Sequence, residues 1–193
     1  MFATELQREL TNWTVMHSGH VDRRAYIGLS TISECERVIY DRYLHGEHPA
    51  TGEHLKFRVG FELEEALINR LRAMKIYTEG ECIQLFDGLV QGHTDGVIRG
   101  VDVLEIKTVP LENFIPRPGK IPAKVYWQVQ AYMRFTRRNF AQVIYLARDS
   151  GLTEVFSVRA SEPIARKIEL KLERLVHAVR TLERPACTCG RCK

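Results

Sequence analysis

Near the end of the chain, apolar residues recur at steps of four and three: Ile164, Ile168, Leu172, Leu175, Val179 and Leu182. That spacing gathers them on one side of a helix and predicts an amphipathic helix over 162–183, with Ser161 as N-cap and Pro163 tolerated in the first turn. A second stripe, Phe57, Phe61, Glu64, Ile68 and Leu71, predicts a helix over roughly 57–75. Val125, Gln128, Tyr132 and Phe135 share a face of a third, at about 123–137. An earlier helix is expected from Thr31–Ser33 through Cys35, Val38, Ile39 and Tyr43 to Gly46, followed by a polar loop at 46–54. Elsewhere the pattern predicts strands near 81–86, 89–98 and 101–108, with turns at Asp87-Gly88 and Arg99-Gly100. Strands near 141–147 and 153–158 form a predicted hairpin about Asp149-Ser150-Gly151, and the four prolines of 110–122 predict an irregular loop. The order of elements predicts a mixed α/β domain with a mostly consecutive central sheet.

With 193 residues, 45% of them hydrophobic, the chain is long enough for one domain with a proper core. No run approaches the roughly eighteen apolar residues of a membrane span. The N-terminal MFATELQREL lacks the apolar stretch of a signal peptide, so a cytoplasmic location without a membrane partner is expected. A formal charge of +4 permits nucleic-acid contact without demanding it. Positive charge gathers in RFTRRN at 134–139 and at the C-terminus, although solvated helix faces would explain most of those residues.

The candidate chemistry lies in VDVLEIKTV, 101–109. Val101, Val103, Ile106 and Val109 suit a buried strand, yet Glu105 and Lys107 would project side by side from one face of it. Upstream, GHTDGV places Asp95 beside Gly96; a hairpin about Arg99-Gly100 would let Asp95 and Glu105 approach each other. Two converging carboxylates repel, and a divalent cation resolves the conflict, hard oxygen donors favouring Mg²⁺ or Mn²⁺. Taken alone, Glu-Ile-Lys reads as a surface ion pair. Glu64 breaks the tie, because a carboxylate on an apolar stripe is costly unless paired or metal-bound, and Gln128 and Tyr132 add a further polar intrusion.

In order along the chain, Gly60-x-x-x-Glu64, Gly92-x-x-Asp95, Glu105-Ile-Lys107 and Gln128-x-x-x-Tyr132 resemble the motif series of RecB-like nucleases of the PD-(D/E)XK superfamily. The resemblance implies a restriction-endonuclease-like core, about 55–160, in which a central mixed sheet is flanked by helices. It implies a metal-dependent deoxyribonuclease, an exonuclease acting on single-stranded DNA or free ends. Asp95 and Glu105 would bind the metal with Glu64 and the Ile106 backbone carbonyl. Lys107 would support the attacking water, and Gln128 and Tyr132 would lie beside the DNA. Many members carry His where this chain has Glu64. Arg134, Arg137 and Arg138, at the end of the helix bearing Gln128, are candidate contacts to the DNA backbone.

More narrowly, the chain resembles the CRISPR-associated Cas-four nucleases and their phage-borne relatives, through Cys35 in SECERVIY and Cys187, Cys189 and Cys192 in PACTCGRCK. That resemblance implies an iron–sulfur cluster, of 4Fe-4S type, joining segments 31–46 and 184–193, and a role in CRISPR spacer acquisition beside CRISPR adaptation proteins. The CxCxxC spacing is tighter than in that family, and four thiolates could equally hold zinc. The fifth cysteine, Cys82, is expected to be a buried packing residue. The rival readings are a phage recombination or repair exonuclease and, from another class, a non-catalytic DNA-binding adaptor.

Overall fold

The computed structural model describes residues 25–46, 53–114 and 121–190. Its elements are β1 (Ile27–Gly28), a 3₁₀ turn (Leu29–Thr31), α1 (Glu36–His45), α2 (Glu53–Ala73), β2 (Tyr77–Thr78), β3 (Cys82–Leu85), β4 (Val90–His93), β5 (Gly96–Ile98), β6 (Asp102–Val109), α3 (Leu111–Phe114), α4 (Ala123–Thr136), β7 (Phe140–Ala147), β8 (Thr153–Arg159) and α5 (Glu162–Thr181). Five strands form the main sheet in the order β2-β5-β6-β7-β8, and a second sheet has the order β1-β4-β3. The main sheet is mixed: β5 and β6 are antiparallel, as are β7 and β8, while β6 and β7 run parallel with α4 as the crossover. The expected mixed sheet flanked by helices is the observed architecture.

Each strand of the sheet centre uses both faces, as the two-residue period requires. Leu104, Ile106 and Ile144 pack with Leu67, Ile68 and Leu71 of α2. On the opposite face, Val103, Ala141 and Val143 join Val125, Val129 and Met133 of α4 and Ile168, Leu172 and Leu175 of α5. Buried Gln130 is a structural group: its amide nitrogen donates to the Arg159 carbonyl at 2.8 Å, and its Oε1 accepts from the Ser161 N–H at 2.8 Å. It fastens α4 to the turn between β8 and α5. Ser161 does occupy the N-cap of α5, with Pro163 in the first turn, but its side chain makes no capping hydrogen bond.

Several expectations are corrected. The strand expected over 89–98 is two strands in different sheets, interrupted at Thr94-Asp95. The first helix begins at Glu36 rather than at 31–33, with Cys35 as its N-cap. Phe61 is 67% exposed. The sheet-facing position one turn before Glu64 belongs to Gly60, where an added Cβ would lie 2.8 Å from Thr108 Oγ1. Val101, 61% exposed, sits in the turn before β6 and not in the strand. Leu182, 71% exposed, caps α5 in the left-handed conformation after the helix has ended. Cys82 is exposed, because β3 turns Ile83 inward and Cys82 and Gln84 outward. Three elements lie outside the expected pattern: the two-residue strands β1 and β2, and the short α3 inside the expected 110–122 loop.

Candidate active site

The turn between β5 and β6 sets up the site. Arg99 and Gly100 both have positive φ, 52° and 73°, and the Val101 N–H donates to the Ile98 carbonyl at 3.1 Å. Such a turn matches the twist of the hairpin it closes, and Val101 follows it as one extra residue before the first pair, Ile98 with Asp102. It pairs Gly96 with Leu104, so the chain just before β5 runs alongside the middle of β6. There the Asp95 N–H donates to the Leu104 carbonyl at 3.2 Å, and Asp95 Oδ2 accepts from the Ile106 N–H at 2.6 Å. Asp95 therefore continues the ladder with its side chain where β5 no longer can. The N–H and C=O of a strand residue point to the same flank, so the Ile106 carbonyl also faces this open flank, beside the Asp95 carboxylate.

Glu105 and Lys107 project from the opposite edge of the same strand period, onto the face covered by α4. Glu105 is only 1% exposed. Its Oε1 contacts the Lys107 ammonium and accepts from Gln128 Nε2 at 2.8 Å. The same amide nitrogen lies 3.0 Å from the Tyr132 hydroxyl, which acts as its second acceptor. Glu105 Oε2 is buried and has no hydrogen-bond partner among the described residues. Such an atom is costly to leave unsatisfied and marks a place where an ion or water belongs.

Electrostatics agree. Burial, then the Asp95 charge, push the Glu105 carboxyl up to about 8, against the opposing pull of Lys107. Burial and Asp95 likewise raise Glu64 to about 7. Burial raises Asp95 too, countered by the Ile106 N–H and Lys107. Burial works against the Lys107 ammonium, yet Glu105, Asp95 and Glu64 outweigh it and hold its pKa above the ordinary value. Three carboxyl groups that resist ionisation together, beside one lysine, carry more negative charge than the lysine neutralises. A hard divalent cation is the group that would relieve them.

Two glycines let the elements close in. Besides Gly60 against Thr108, a Cβ on Gly92 would lie 2.8 Å from Leu29 Cδ1 and 2.9 Å from Tyr132 Cε1. Only a bare Cα lets β4 pass beneath the Tyr132 ring. The sequence-predicted residues Glu64, Asp95, Glu105, Lys107, Gln128 and Tyr132 are thus brought together. Tyr145, which the pattern did not single out, also belongs here. It is the register partner of Lys107 on β7, its hydroxyl is buried without a partner among the described residues, and burial and Glu105 push it up to about 12.

The three candidate DNA-binding arginines lie at the far end of α4 from Gln128. Arg134 pairs with Glu169 at 2.6 Å and Glu162 at 3.6 Å, and Arg138 makes two hydrogen bonds of 2.7 Å to Glu81. Arg137 is exposed and caps α4 in the left-handed conformation.

A separate cluster joins the ends of the described chain. The Sγ atoms of Cys35, Cys187 and Cys189 all lie within 4.8 Å of one another. The tail that carries two of them is held against α1 by Arg184, whose guanidinium reaches Asp41 at 2.5 and 2.8 Å. Cys192 lies outside the described residues.

No protein-family model matches the chain, and no curated protein matches it. Solved structures do. The chain is similar to the alkaline exonuclease LHK-Exo from Laribacter hongkongensis, with 18% identity over 84% of this chain and 93% of that one, at a TM-score of 0.63. The same exonuclease in complex with dAMP matches at 17% identity, with the same coverage and TM-score. A phage-related exonuclease from Haemophilus somnus matches at 11% identity over 81% of this chain and 94% of that one, with a TM-score of 0.61. At these identities the likeness is one of fold: this chain has the fold of those exonuclease structures.

Proposed function

We propose that this chain is a metal-dependent deoxyribonuclease of the PD-(D/E)XK type, cutting phosphodiesters at single-stranded or free DNA ends. The observation that carries the reading is Glu105, a buried carboxylate with one oxygen held by Lys107 and Gln128 and the other unsatisfied, next to Asp95. Asp95, Glu105, Glu64 and the Ile106 carbonyl would hold Mg²⁺ or Mn²⁺, an all-oxygen donor set that suits such cations. When bound there, the cation polarises a phosphodiester and lowers the pKa of a water.

The chain's own groups do the rest. Lys107 stays charged in this setting and would face the negative charge that develops on the phosphoryl oxygens. Gln128 fixes the Glu105 carboxylate by its Oε1 and links it to the Tyr132 hydroxyl, so both side chains are set before DNA arrives. Among the three candidate arginines, Arg134 and Arg137 are exposed, and Arg137 would reach the DNA backbone. Arg134 and Arg138 already serve carboxylates and contribute less. The exonuclease fold, with one such structure in complex with dAMP, favours this reading over a non-catalytic adaptor. It fits a phage recombination or repair exonuclease.

The cysteine cluster favours the Cas-four-like branch of RecB-like nucleases, with a 4Fe-4S cluster or zinc on Cys35, Cys187, Cys189 and Cys192 and a place in CRISPR spacer acquisition. The deciding experiment for the chemistry is degradation of end-labelled single-stranded DNA by the purified chain. Cleavage with Mn²⁺ and none with EDTA is expected; cleavage that persists in EDTA would overturn the reading.

A further inference from the structure

The acidic cluster contains one buried polar group that the proposed mechanism leaves idle. Tyr145 sits on β7, beside Lys107 on β6 in the parallel register, so the two side chains leave neighbouring strands on the same face of the sheet. Its ring is fixed edge-on against Phe156, with centroids 5.9 Å apart and an interplanar angle of 86°. Its hydroxyl is buried and has no partner among the described residues, although it lies within the field of Glu105. Folded proteins seldom bury a hydroxyl unpaired, since each one costs the loss of its hydrogen bonds to water. Glu105 Oε2, in the same field, is unpaired too.

Lys107 links these observations. Its ammonium contacts Glu105 Oε1, the carboxylate that a cation would share. A cation and an ammonium compete for the same charge, so the lysine needs a second acceptor once a cation is present. The phenol of Tyr145 leaves the adjacent strand at the register position of Lys107, with a free lone pair and a ring held by Phe156. We propose that Tyr145 is a positioning residue for Lys107, its hydroxyl accepting the ammonium when the carboxylates are engaged and keeping it aimed at the scissile phosphate. This rests on the nuclease reading above.

The test is Tyr145→Phe in the full chain, which keeps the ring and its contact with Phe156 and removes only the hydroxyl. Single-turnover cleavage of end-labelled single-stranded DNA at saturating Mn²⁺ should slow by roughly 10- to 100-fold, the worth of one hydrogen bond to a charged group. The thermal midpoint should stay or rise, because an unpaired hydroxyl has been removed, and the Mn²⁺ affinity by direct titration should be unchanged. In a Lys107→Ala background the same substitution should change the rate by less than about twofold, since its effect passes through the lysine. Equal rates for wild type and Tyr145→Phe would overturn the proposal, as would weakened Mn²⁺ binding or a full additive effect without Lys107. A wild-type chain that neither cleaves nor takes up Mn²⁺ would instead remove the nuclease reading, and this inference with it.

Discussion

The Ile106 N–H donates to Asp95 Oδ2 at 2.6 Å, in the middle of the strand that carries Glu105 and Lys107. One aspartate thus replaces a strand residue in the ladder and brings its carboxylate to the side of a second, fully buried one. Without that bond Asp95 would be an ordinary turn residue. With it, the backbone of β6 fixes the separation of the two acids, and the geometry of the site depends on the hairpin turn at Arg99-Gly100.

Glu105→Gln should abolish cleavage and yet stabilise the metal-free protein at pH 8, because it replaces a carboxylate that burial and Asp95 disfavour with a neutral group of the same shape. Asp95→Ala should also abolish cleavage, but at a cost of about 1–3 kcal/mol, since the Ile106 N–H loses its charged acceptor. Thermal unfolding beside the Mn²⁺ cleavage assay separates these outcomes. Full activity in either variant would sink the assignment of these two acids.

A pH dependence follows from the raised carboxyls. Glu105 at about 8 and Glu64 at about 7 hold protons in the folded state that the unfolded chain, near 4.5, has already lost. The folded state therefore binds more protons between these limits, and its stability falls as pH rises from about 4.5 to about 8. Added Mn²⁺ should offset that loss, release protons on binding, and bind more tightly at pH 8 than at pH 6. Calorimetric titration in two buffers of different ionisation enthalpy measures the proton release. A Mn²⁺ affinity independent of pH would contradict the placement of the cation among these acids.

Most of this site was legible in the sequence because its parts obey local periods. Glu105 and Lys107 share a face by the two-residue rule, Gln128 and Tyr132 by the four-residue rule, and the Arg99-Gly100 turn brings Asp95 across. The errors fall where a period ends. Val101 and Leu182 continue an apolar pattern into a turn and a cap, and Phe61 sits beside the position that Gly60 actually offers to the sheet. Strands β1 and β2 are two residues long and owe their conformation to pairing with β4 and β5, so they have no pattern of their own. Tyr145 was hidden for another reason. In FAQVIYLA it reads as one more strand aromatic, and only the assembled sheet shows that its hydroxyl ends beside Glu105 without a partner.

Gly92→Ala should disturb the site without touching a charged group. The new Cβ would press on Leu29 at 2.8 Å and on the Tyr132 ring at 2.9 Å, and both are buried. Overpacking of this kind costs about 1–3 kcal/mol. A displaced Tyr132 also breaks its link to Gln128, so cleavage should fall by more than the loss of folded protein explains. A variant with wild-type stability and rate would mean that β4 and α4 part easily here.

The cysteine cluster gives the last prediction. Cys35 caps α1 while Cys187 and Cys189 arrive from the other end of the chain, and Cys35 Sγ lies 3.7 Å from Thr188 Oγ1, 153 positions away. Three thiols within 4.8 Å of one another repel as thiolates, and a metal centre resolves that as a cation resolves the acids. With Cys192 as fourth ligand, anaerobically purified protein should be brown, absorb broadly near about 400 nm and contain iron. Cys35→Ala should remove the colour and lower the thermal midpoint, because such a centre would join the tail to α1 across a long loop. Cys82→Ala should keep the colour, since Cys82 faces outward on β3. Stoichiometric zinc in colourless protein would replace the cluster with a structural metal. Protein with neither would leave Arg184 and Asp41 to hold the tail and would move the reading toward a phage-type exonuclease.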